Sequence, residues 1–247
     1  MRPLKKFLKS NARPIYNLAF NLRELTAGRK MVDFGDFTVD DIAKFCGTKS
    51  PIIIDIGTND GTEIYAFLKA YPDAAVYAIE ADPIPYRRLV DRFKDDPRVQ
   101  CYNLAIAEYD GEIIFNCSSG YFHDYQRTSG LQHDYSGSIL KPKLHLEYAP
   151  DVTFEKQINI KCMTLDNFIA SHHLQSPDFI WMDVQGAEFN VLKGGEKILR
   201  EARGIYTEYS FDEMYEGQKD LWFIANHLKK FDYELKRRYE FDALFVR

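Results

Sequence analysis

The segment Pro51-Ile-Ile-Ile-Asp55-Ile-Gly57-Thr-Asn59-Asp-Gly61 contains the pattern that indicates the fold class most clearly. Its apolar run ends in glycines, which is the pattern of a buried parallel strand that enters a tight turn. Two further strand-like runs follow at 75–80 and 99–106, and helical segments at 62–70 and 85–93 separate the three runs. Strands joined by helices of this length predict right-handed crossovers and a parallel, doubly wound sheet.

The alternation pauses in an insertion at about 112–162 and then resumes. Two strand-like runs, 112–115 and 157–162, flank a long polar and aromatic stretch within it. Beyond the insertion the pattern predicts the helices 165–170, 188–200 and 221–230 and the strands 179–183, 204–209, 233–238 and 243–247. We therefore predict one α/β domain over residues 46–247 that contains the insertion, and a basic helical extension over residues 1–45.

The composition narrows the class of protein. A chain of 247 residues that is 45% hydrophobic suits one α/β domain with a substantial core. The net charge of -5 and a pI near 5.7 argue against a nucleic-acid binder that works through overall positive charge. The four cysteines form no C-x-x-C pair, which favours reduced thiols in a cytoplasmic protein.

The basic N-terminal segment, residues 1–30, carries eight basic side chains and one acidic side chain. Its apolar positions have helical spacing, but Pro14 and several charges make it too polar for a signal peptide or a membrane span. The segment could pack on the domain, bind an anionic glycan, form an oligomer contact or lie peripherally on the inner membrane surface, where cations are attracted to anionic lipid.

The turn at residues 55–61 indicates the cofactor. In an open parallel sheet the ligand lies beyond the carboxyl ends of the strands, so this turn is where a cofactor is expected. A dinucleotide needs G-x-G-x-x-G here, and the carboxylates of Asp55 and Asp60 would repel its pyrophosphate. S-adenosylmethionine has no phosphate and carries a cationic sulfonium, which an acidic turn attracts. The charge therefore favours this donor, although Asp55 could instead cap the following helix.

A second acidic residue supports the same cofactor. Glu80 closes the second predicted strand 25 residues after Asp55. At that place its carboxylate can accept hydrogen bonds from both hydroxyl groups of a ribose. Alone, Glu80 would be read as a solvated strand end. Together with Asp55 and the two glycines of the turn, it favours a donor site.

Several motifs give the chain a resemblance to a known family. They are Ile54-Asp-Ile-Gly-Thr-Asn-Asp-Gly61, Ile79-Glu-Ala-Asp-Pro83, Asn103-Leu-Ala-Ile106 before Asp110-Gly111, Thr164-Leu-Asp166, and Trp181-Met-Asp-Val-Gln-Gly-Ala-Glu188 running into Val191-Leu-Lys-Gly-Gly195. Over about residues 50–247 the sequence resembles the FkbM-type methyltransferases, which have the class I, Rossmann-like fold and depend on S-adenosylmethionine.

The resemblance implies a fold, a reaction and a set of donor residues. The fold would have a seven-stranded sheet with the last strand antiparallel, and the reaction would be O-methylation of sugars, glycans or polyketide-type products. Glu80 would bind the ribose, and Asn103 and Ala105 would lie near the adenine. The methionine end of S-adenosylmethionine would contact the turn at residues 55–61. The implied donor site as a whole also includes Asp55, Gly57, Thr58, Asn59, Gly61, Ala81 and Asp183.

A hydroxyl acceptor needs a group that takes its proton, either a general base or a metal-bound oxygen. Asp183 ends the fourth core strand and Glu208 lies near the end of the next, so their side chains should converge as a base or on a shared cation. Asp183 could instead cap a helix, and Glu208 could make a structural hydrogen bond. His145, in the insertion, is a third candidate base because imidazole titrates near neutrality.

The insertion is the expected site of acceptor recognition. Its aromatic and hydroxyl side chains suit sugar rings, and loops of this length are often functional. The His-Asp-Tyr triplets at 123–125 and 133–135 have no metal-ligand spacing, so a divalent metal is possible but not indicated. The turn Ser136-Gly-Ser-Ile139 resembles a serine-rich turn of the family and could touch the donor or the acceptor.

The sequence thus predicts an S-adenosylmethionine-dependent methyltransferase that methylates a hydroxyl of a saccharide, glycan or related metabolite. No nucleic acid is expected as a partner. Two alternatives stay open: an N-methyltransferase or protein methyltransferase, and a non-catalytic glycan-binding or membrane-binding module that keeps the fold.

Overall fold

A computed structural model describes residues 39–120, 133–239 and 241–247. The predicted N-terminal extension therefore lies largely outside the described residues, as does the first His-Asp-Tyr triplet. The helices are α1 (Asp40–Cys46), α2 (Thr62–Ala70), α3 (Pro83–Phe93), α4 (His145–Tyr148), α5 (Leu165–Ser171), α6 (Glu188–Lys193), α7 (Glu196–Leu199) and α8 (Leu221–Leu228). The strands are β1 (Ile52–Ile56), β2 (Ala75–Ile79), β3 (Val99–Tyr102), β4 (Ala105–Ile106), β5 (Gly111–Gly120), β6 (Val152–Met163), β7 (Phe179–Met182), β8 (Gly204–Glu208), β9 (Glu234–Arg238) and β10 (Asp242–Val246).

Seven of these strands form one sheet in the order β3-β2-β1-β7-β8-β10-β9. Neighbouring strands from β3 to β8 are parallel, whereas β10 runs antiparallel to both β8 and β9. The α/β, mostly parallel seven-stranded sheet predicted from the sequence is therefore confirmed, including the antiparallel last strand. The strand order reverses at β1, whose neighbours β2 and β7 lead to opposite edges.

Both faces of the large sheet are buried, as a parallel sheet with helical crossovers requires. Ile54 and Ile56 of β1 point into one hydrophobic cluster, with α5, α6 and α8 packed against it. Ile53 points into the other cluster, which contains residues of α2 and α3. Ile42 and Cys46 of α1 are fully buried in this second cluster, so residues 40–46 pack on the domain.

A second, three-stranded sheet has the order β4-β6-β5 and carries the insertion. The single strand predicted over 99–106 is wrong here: β3 pairs in the large sheet, whereas β4 pairs with β6. The break has a physical cause at Asn103. Its side-chain amide donates to the carbonyls of Glu80 and Ala81, at 2.8 and 3.1 Å, and turns the chain away from the large sheet.

The predicted helix over 188–200 is also interrupted, at Gly194 and Gly195 between α6 and α7. Gly194 lies against the chain just after β4, where a β-carbon would come within 2.1 Å of the Ala107 carbonyl oxygen. The close approach requires glycine and ends the helix there.

Two further features bear on the sequence predictions. All four cysteines are free thiols, and three of them are buried. Within the ranges that the structure describes, no helix is both long and apolar enough to cross a membrane.

Replacing Gly194 by alanine tests the contact between the break after α6 and the chain that follows β4. The added methyl group would overlap the Ala107 carbonyl, so we expect the free energy of unfolding to fall by about 1–3 kcal/mol. Urea denaturation of Gly194→Ala and of Lys197→Ala, an exposed site on α7, measures this. Equal stability of Gly194→Ala, Lys197→Ala and the unmodified protein would contradict the close packing.

Candidate active site

A cavity of about 330 Å³ opens at the carboxyl ends of the central strands. Its walls come from the ends of β1, β2, β7 and β8, from the start of β10 and from the insertion. It therefore lies where the strand order reverses, which is the usual ligand position in an open α/β sheet.

The centre of the cavity is formed where the turns after β1 and β7 touch. Gly57 has a φ of 84°, and a β-carbon there would lie 1.9 Å from the Asp183 carbonyl oxygen. Its amide also donates to the carbonyl of Ile79 at the end of β2, at 2.9 Å. Only glycine permits both contacts, and together they bring three strand ends to one point.

Asp55 forms the floor of the cavity. Its side chain is buried and accepts a hydrogen bond from the Thr58 hydroxyl at 2.7 Å. Burial raises the pKa of Asp55 well above its ordinary value; the Thr58 hydrogen bond opposes this, and nearby carboxylates add to it. A cation in the cavity would stabilise the ionised form.

Glu80 is held in place by the backbone. One carboxylate oxygen accepts the amide hydrogen of Asn59 at 2.8 Å, and the other accepts that of Asp82 at 2.7 Å. Burial raises the pKa of Glu80 to about 7, against the lowering effect of these hydrogen bonds. Each oxygen keeps a second lone pair, so the carboxylate can still accept hydrogen bonds from a ligand in the cavity that it lines.

The structure brings most of the predicted donor residues to the cavity wall, but not Gly61 or Asn103. Gly61 instead packs under α3, where a β-carbon would come within 2.7 Å of both Leu89 and Phe93. Asn103 is exposed and holds the loop after β2. The residues of the predicted set that line the cavity are Asp55, Gly57, Thr58, Asn59, Glu80, Ala81, Ala105 and Asp183.

Asp183 and Glu208 meet as the strand positions predict. Asp183 is open to the cavity, whereas Glu208 is half-buried behind it and does not line the wall. The two carboxyl groups hydrogen-bond each other, and burial raises the pKa of both. Gln185 contacts the pair: its amide nitrogen donates to Asp183 Oδ1 at 2.6 Å and to Glu208 Oε2 at 2.8 Å.

Two more acidic groups lie beside this pair. Glu188 is buried in the first turn of α6, where it accepts the Gly186 amide hydrogen at 3.0 Å. Asp242 begins β10, lines the cavity and hydrogen-bonds Tyr206. Burial raises the pKa of each carboxyl to about 7, and the charge of Asp183 contributes. The cavity wall is thus strongly acidic.

His145 lies away from the cavity wall. It is buried, with its ring packed against Phe154 and Tyr215, and its Nε2 lies 3.0 Å from the Ser136 hydroxyl. His133 approaches the same hydroxyl at 2.8 Å. Burial lowers the pKa of His145 and favours a neutral ring. These contacts give His145 a role in holding the insertion.

The returning arm of the insertion forms one side of the cavity. Asp134, Tyr135, Gly137 and Ile139 line it, so part of the predicted acceptor region and of the serine-rich turn does reach the site. Asn59 ties this arm to the donor turn by donating to the Asp134 carbonyl at 2.9 Å. The Asp134 carboxylate also pairs with Arg88 at 2.7 Å.

Several residues of the cavity wall were not predicted from the sequence. Trp181 and Gln185 lie within the motif that runs from Trp181 to Glu188, but the sequence indicated no role for either. For Gln185 the one available signal was a polar residue directly before a glycine. Tyr206 and Asp242 line the cavity from the last strands, and no local pattern marks them. In the described part of the chain, no group of three or more potential ligands is arranged to hold a metal ion.

Known proteins resemble this chain in sequence and in fold. A family model described as Methyltransferase FkbM domain matches residues 55–235. The 2-O-methyltransferase NoeI of Sinorhizobium fredii (strain NBRC 101917 / NGR234) is 38% identical over 182 residues, which are 74% of this chain and 72% of the relative. The crystal structure of methyltransferase FkbM from Methylobacillus flagellatus KT has a TM-score of 0.53 at 17% identity; the match covers 81% of this chain but only 44% of that protein, and it concerns the fold alone.

Replacing Asp242 by asparagine tests the acidic wall. The folded-state pKa of about 7 lies above the ordinary 3.8, so ionisation of Asp242 costs stability that is lost as pH rises from about 4 through 7. Asp242→Asn removes this cost. Relative to the unmodified protein it should gain about 1–2 kcal/mol more at pH 8 than at pH 5.5.

Urea denaturation at the two pH values measures the gain, with the exposed Asp95→Asn as control. An Asp242→Asn effect that is equal at the two pH values would show that Asp242 ionises without cost.

Proposed function

Because the chain belongs to the FkbM methyltransferase family, we propose that it transfers the methyl group of S-adenosylmethionine to a hydroxyl of a saccharide, glycan or related metabolite. The position of Asp183 gives this proposal its strongest support. Its carboxylate faces the cavity directly beside the turn after β1, so a base and a donor turn share one space.

The residues of the cavity fit this donor. Glu80 offers lone pairs to the ribose hydroxyls, and Leu104, Ala105 and Ile106 offer an apolar wall to the adenine. The acidic floor at Asp55 suits a sulfonium and an ammonium and disfavours a phosphate. When bound, the donor would supply an electrophilic methyl group on a positively charged sulfur.

The carboxylate of Asp183 would then take the proton of the acceptor hydroxyl. The acceptor oxygen forms a bond to the methyl carbon as the carbon–sulfur bond breaks, and the sulfur keeps that electron pair. The proton passes to Asp183 and from there to solvent. A positioned base of this kind contributes about 10²–10⁴-fold, and holding both reactants together contributes up to about 7–11 kcal/mol.

An oxygen acceptor is favoured by two features. The relative from Sinorhizobium fredii is named as a 2-O-methyltransferase, and a carboxyl pair with a raised pKa is suited to proton removal. Tyr135, Trp181 and Tyr206 add aromatic surface to the cavity. Aromatic rings beside hydrogen-bonding carboxylates suit the apolar faces and hydroxyl edges of a sugar ring, which supports a saccharide.

Donor binding is the first test. Isothermal titration calorimetry with S-adenosylhomocysteine should give one site, and Glu80→Gln should weaken binding by about tenfold or more because one hydrogen-bond acceptor is lost. Since the carboxylate must be ionised to accept both hydroxyls, affinity should fall as pH drops below about 7. Asp95→Asn is the control, and no binding at high micromolar ligand would reject the donor.

The second test separates the reaction types. With labelled donor and a panel of neutral saccharides and amino sugars, Asp183→Asn should lower turnover by about 10²–10⁴-fold, while the affinity for S-adenosylhomocysteine, which lacks the sulfonium charge, stays within a few-fold. Mass spectrometry of the products measures the transfer. Nearly intact turnover of the neutral saccharides would show that Asp183 is not the base, and transfer to amino sugars alone would point to an amine acceptor, which needs no strong base.

A further inference from the structure

Gln185 has no role in the reaction as described so far, yet its side chain lies at the centre of the acidic wall. It lines the cavity and is the one amide that donates to both Asp183 and Glu208 among the described residues. Two carboxyl groups that also hydrogen-bond each other must hold a proton between them. Gln185 therefore contacts a proton-sharing pair.

The backbone is built to direct this amide inward. Gln185 has a φ of 51°, which lies in the left-handed region that residues other than glycine rarely adopt. Gly186 follows with a φ of 92°. Such conformations persist where the surrounding structure requires them, often at functional sites. Here the turn after β7 bends back, so that the side chain of Gln185 reaches the end of β8.

The other end of the amide is also engaged. The Tyr215 hydroxyl can donate its one hydrogen to the Ser136 carbonyl at 2.8 Å or to Gln185 Oε1 at 3.2 Å. The two carboxyl groups accept from the amide nitrogen, which an amide oxygen could not replace as a donor, so they fix which way the amide points. Tyr215 thereby connects Gln185 to the arm of the insertion that walls the cavity.

The charges around the two carboxyl groups explain why an uncharged hydrogen-bond donor such as the Gln185 amide matters. The titratable groups that act on it come from β1, α2, α6, β8, β10 and the loop before α8; they are Asp55, Glu63, Glu188, Tyr206, Asp242 and Tyr215. All are acids or phenols. Within the described part of the chain, Gln185 therefore supplies the hydrogen bonds that a lysine or arginine supplies elsewhere.

We propose that Gln185 is a positioning residue: its amide holds the carboxyl groups of Asp183 and Glu208 side by side, so that they share one proton and act together as the base. The inference rests on the proposed function. In the resting pair Glu208 keeps the proton and Asp183 faces the cavity as the ionised member. During transfer the hydroxyl proton moves to Asp183 while its oxygen bonds to the methyl carbon, and the neutral pair then returns one proton to solvent.

The test replaces Gln185 by methionine, which has a similar length and cannot donate. The acid limb of the pH profile of kcat/KM should move up by about one unit, because the ionised pair loses two hydrogen bonds. Turnover below the limb should fall about tenfold and recover to within a few-fold at high pH. Binding of S-adenosylhomocysteine should stay within threefold, and the exposed Gln100→Met should leave the profile unchanged.

A uniform loss of kcat at every pH, with no shift of the limb, would mean that Gln185 only shapes the loop and would overturn the inference. If Gln185→Met does not fold, Gln185→Glu has the same shape and should shift the limb further upward, because it adds a third acidic group. An unshifted limb in that variant would overturn the inference equally.

A readout without turnover separates this inference from the proposed function. With ¹³C-labelled carboxyl groups, NMR titration should show Asp183 and Glu208 titrating in two coupled steps, with the upper step raised in Gln185→Met. Two independent titrations near ordinary values would reject the shared proton even if methyl transfer is observed. A coupled titration without product from any acceptor would count against the proposed function and support the pairing.

Discussion

At the centre of the sheet the backbone of Gly57 passes so close to the Asp183 carbonyl that a β-carbon would lie 1.9 Å from it. This contact sets the distance between the turns that follow β1 and β7, and most of the cavity wall depends on it. The end of β1 and the turn after it present Asp55 and Asn59, and the turn after β7 presents Asp183 and Gln185. A side chain at Gly57 would separate the two turns and disconnect the donor turn from the base.

The second constraint is electrostatic. Burial raises the pKa of several carboxyl groups around the base, among them Asp55, Glu188 and Asp242. Without a ligand these groups favour protonation, and a cationic ligand would shift them toward the charged form. Binding of a sulfonium donor and ionisation of the base would therefore support each other. An acidic cavity is in this way suited both to attract the donor and to prepare the proton acceptor.

The sequence predicted the parts of the site that lie next to one another along the chain. The family resemblance is confirmed, as is the parallel sheet, because a strand and its turn are encoded in one short segment around Asp55. The breaks at Asn103 and Gly194 were missed because each depends on a contact with a remote carbonyl. Likewise, Tyr206 and Asp242 reach the cavity from segments that carry no motif, so only the folded chain brings them to Asp183.

The central claim is that one cavity holds both the methyl donor and the carboxylate that takes the acceptor's proton. A crystal structure of the complex with S-adenosylhomocysteine tests it most directly. We predict ribose hydroxyls hydrogen-bonded to Glu80, adenine against Ala105 and a sulfur atom that faces the space in front of Asp183. A ligand bound elsewhere, or a sulfur atom that points away from an inaccessible Asp183 carboxylate, would show that the donor and the base do not share one cavity.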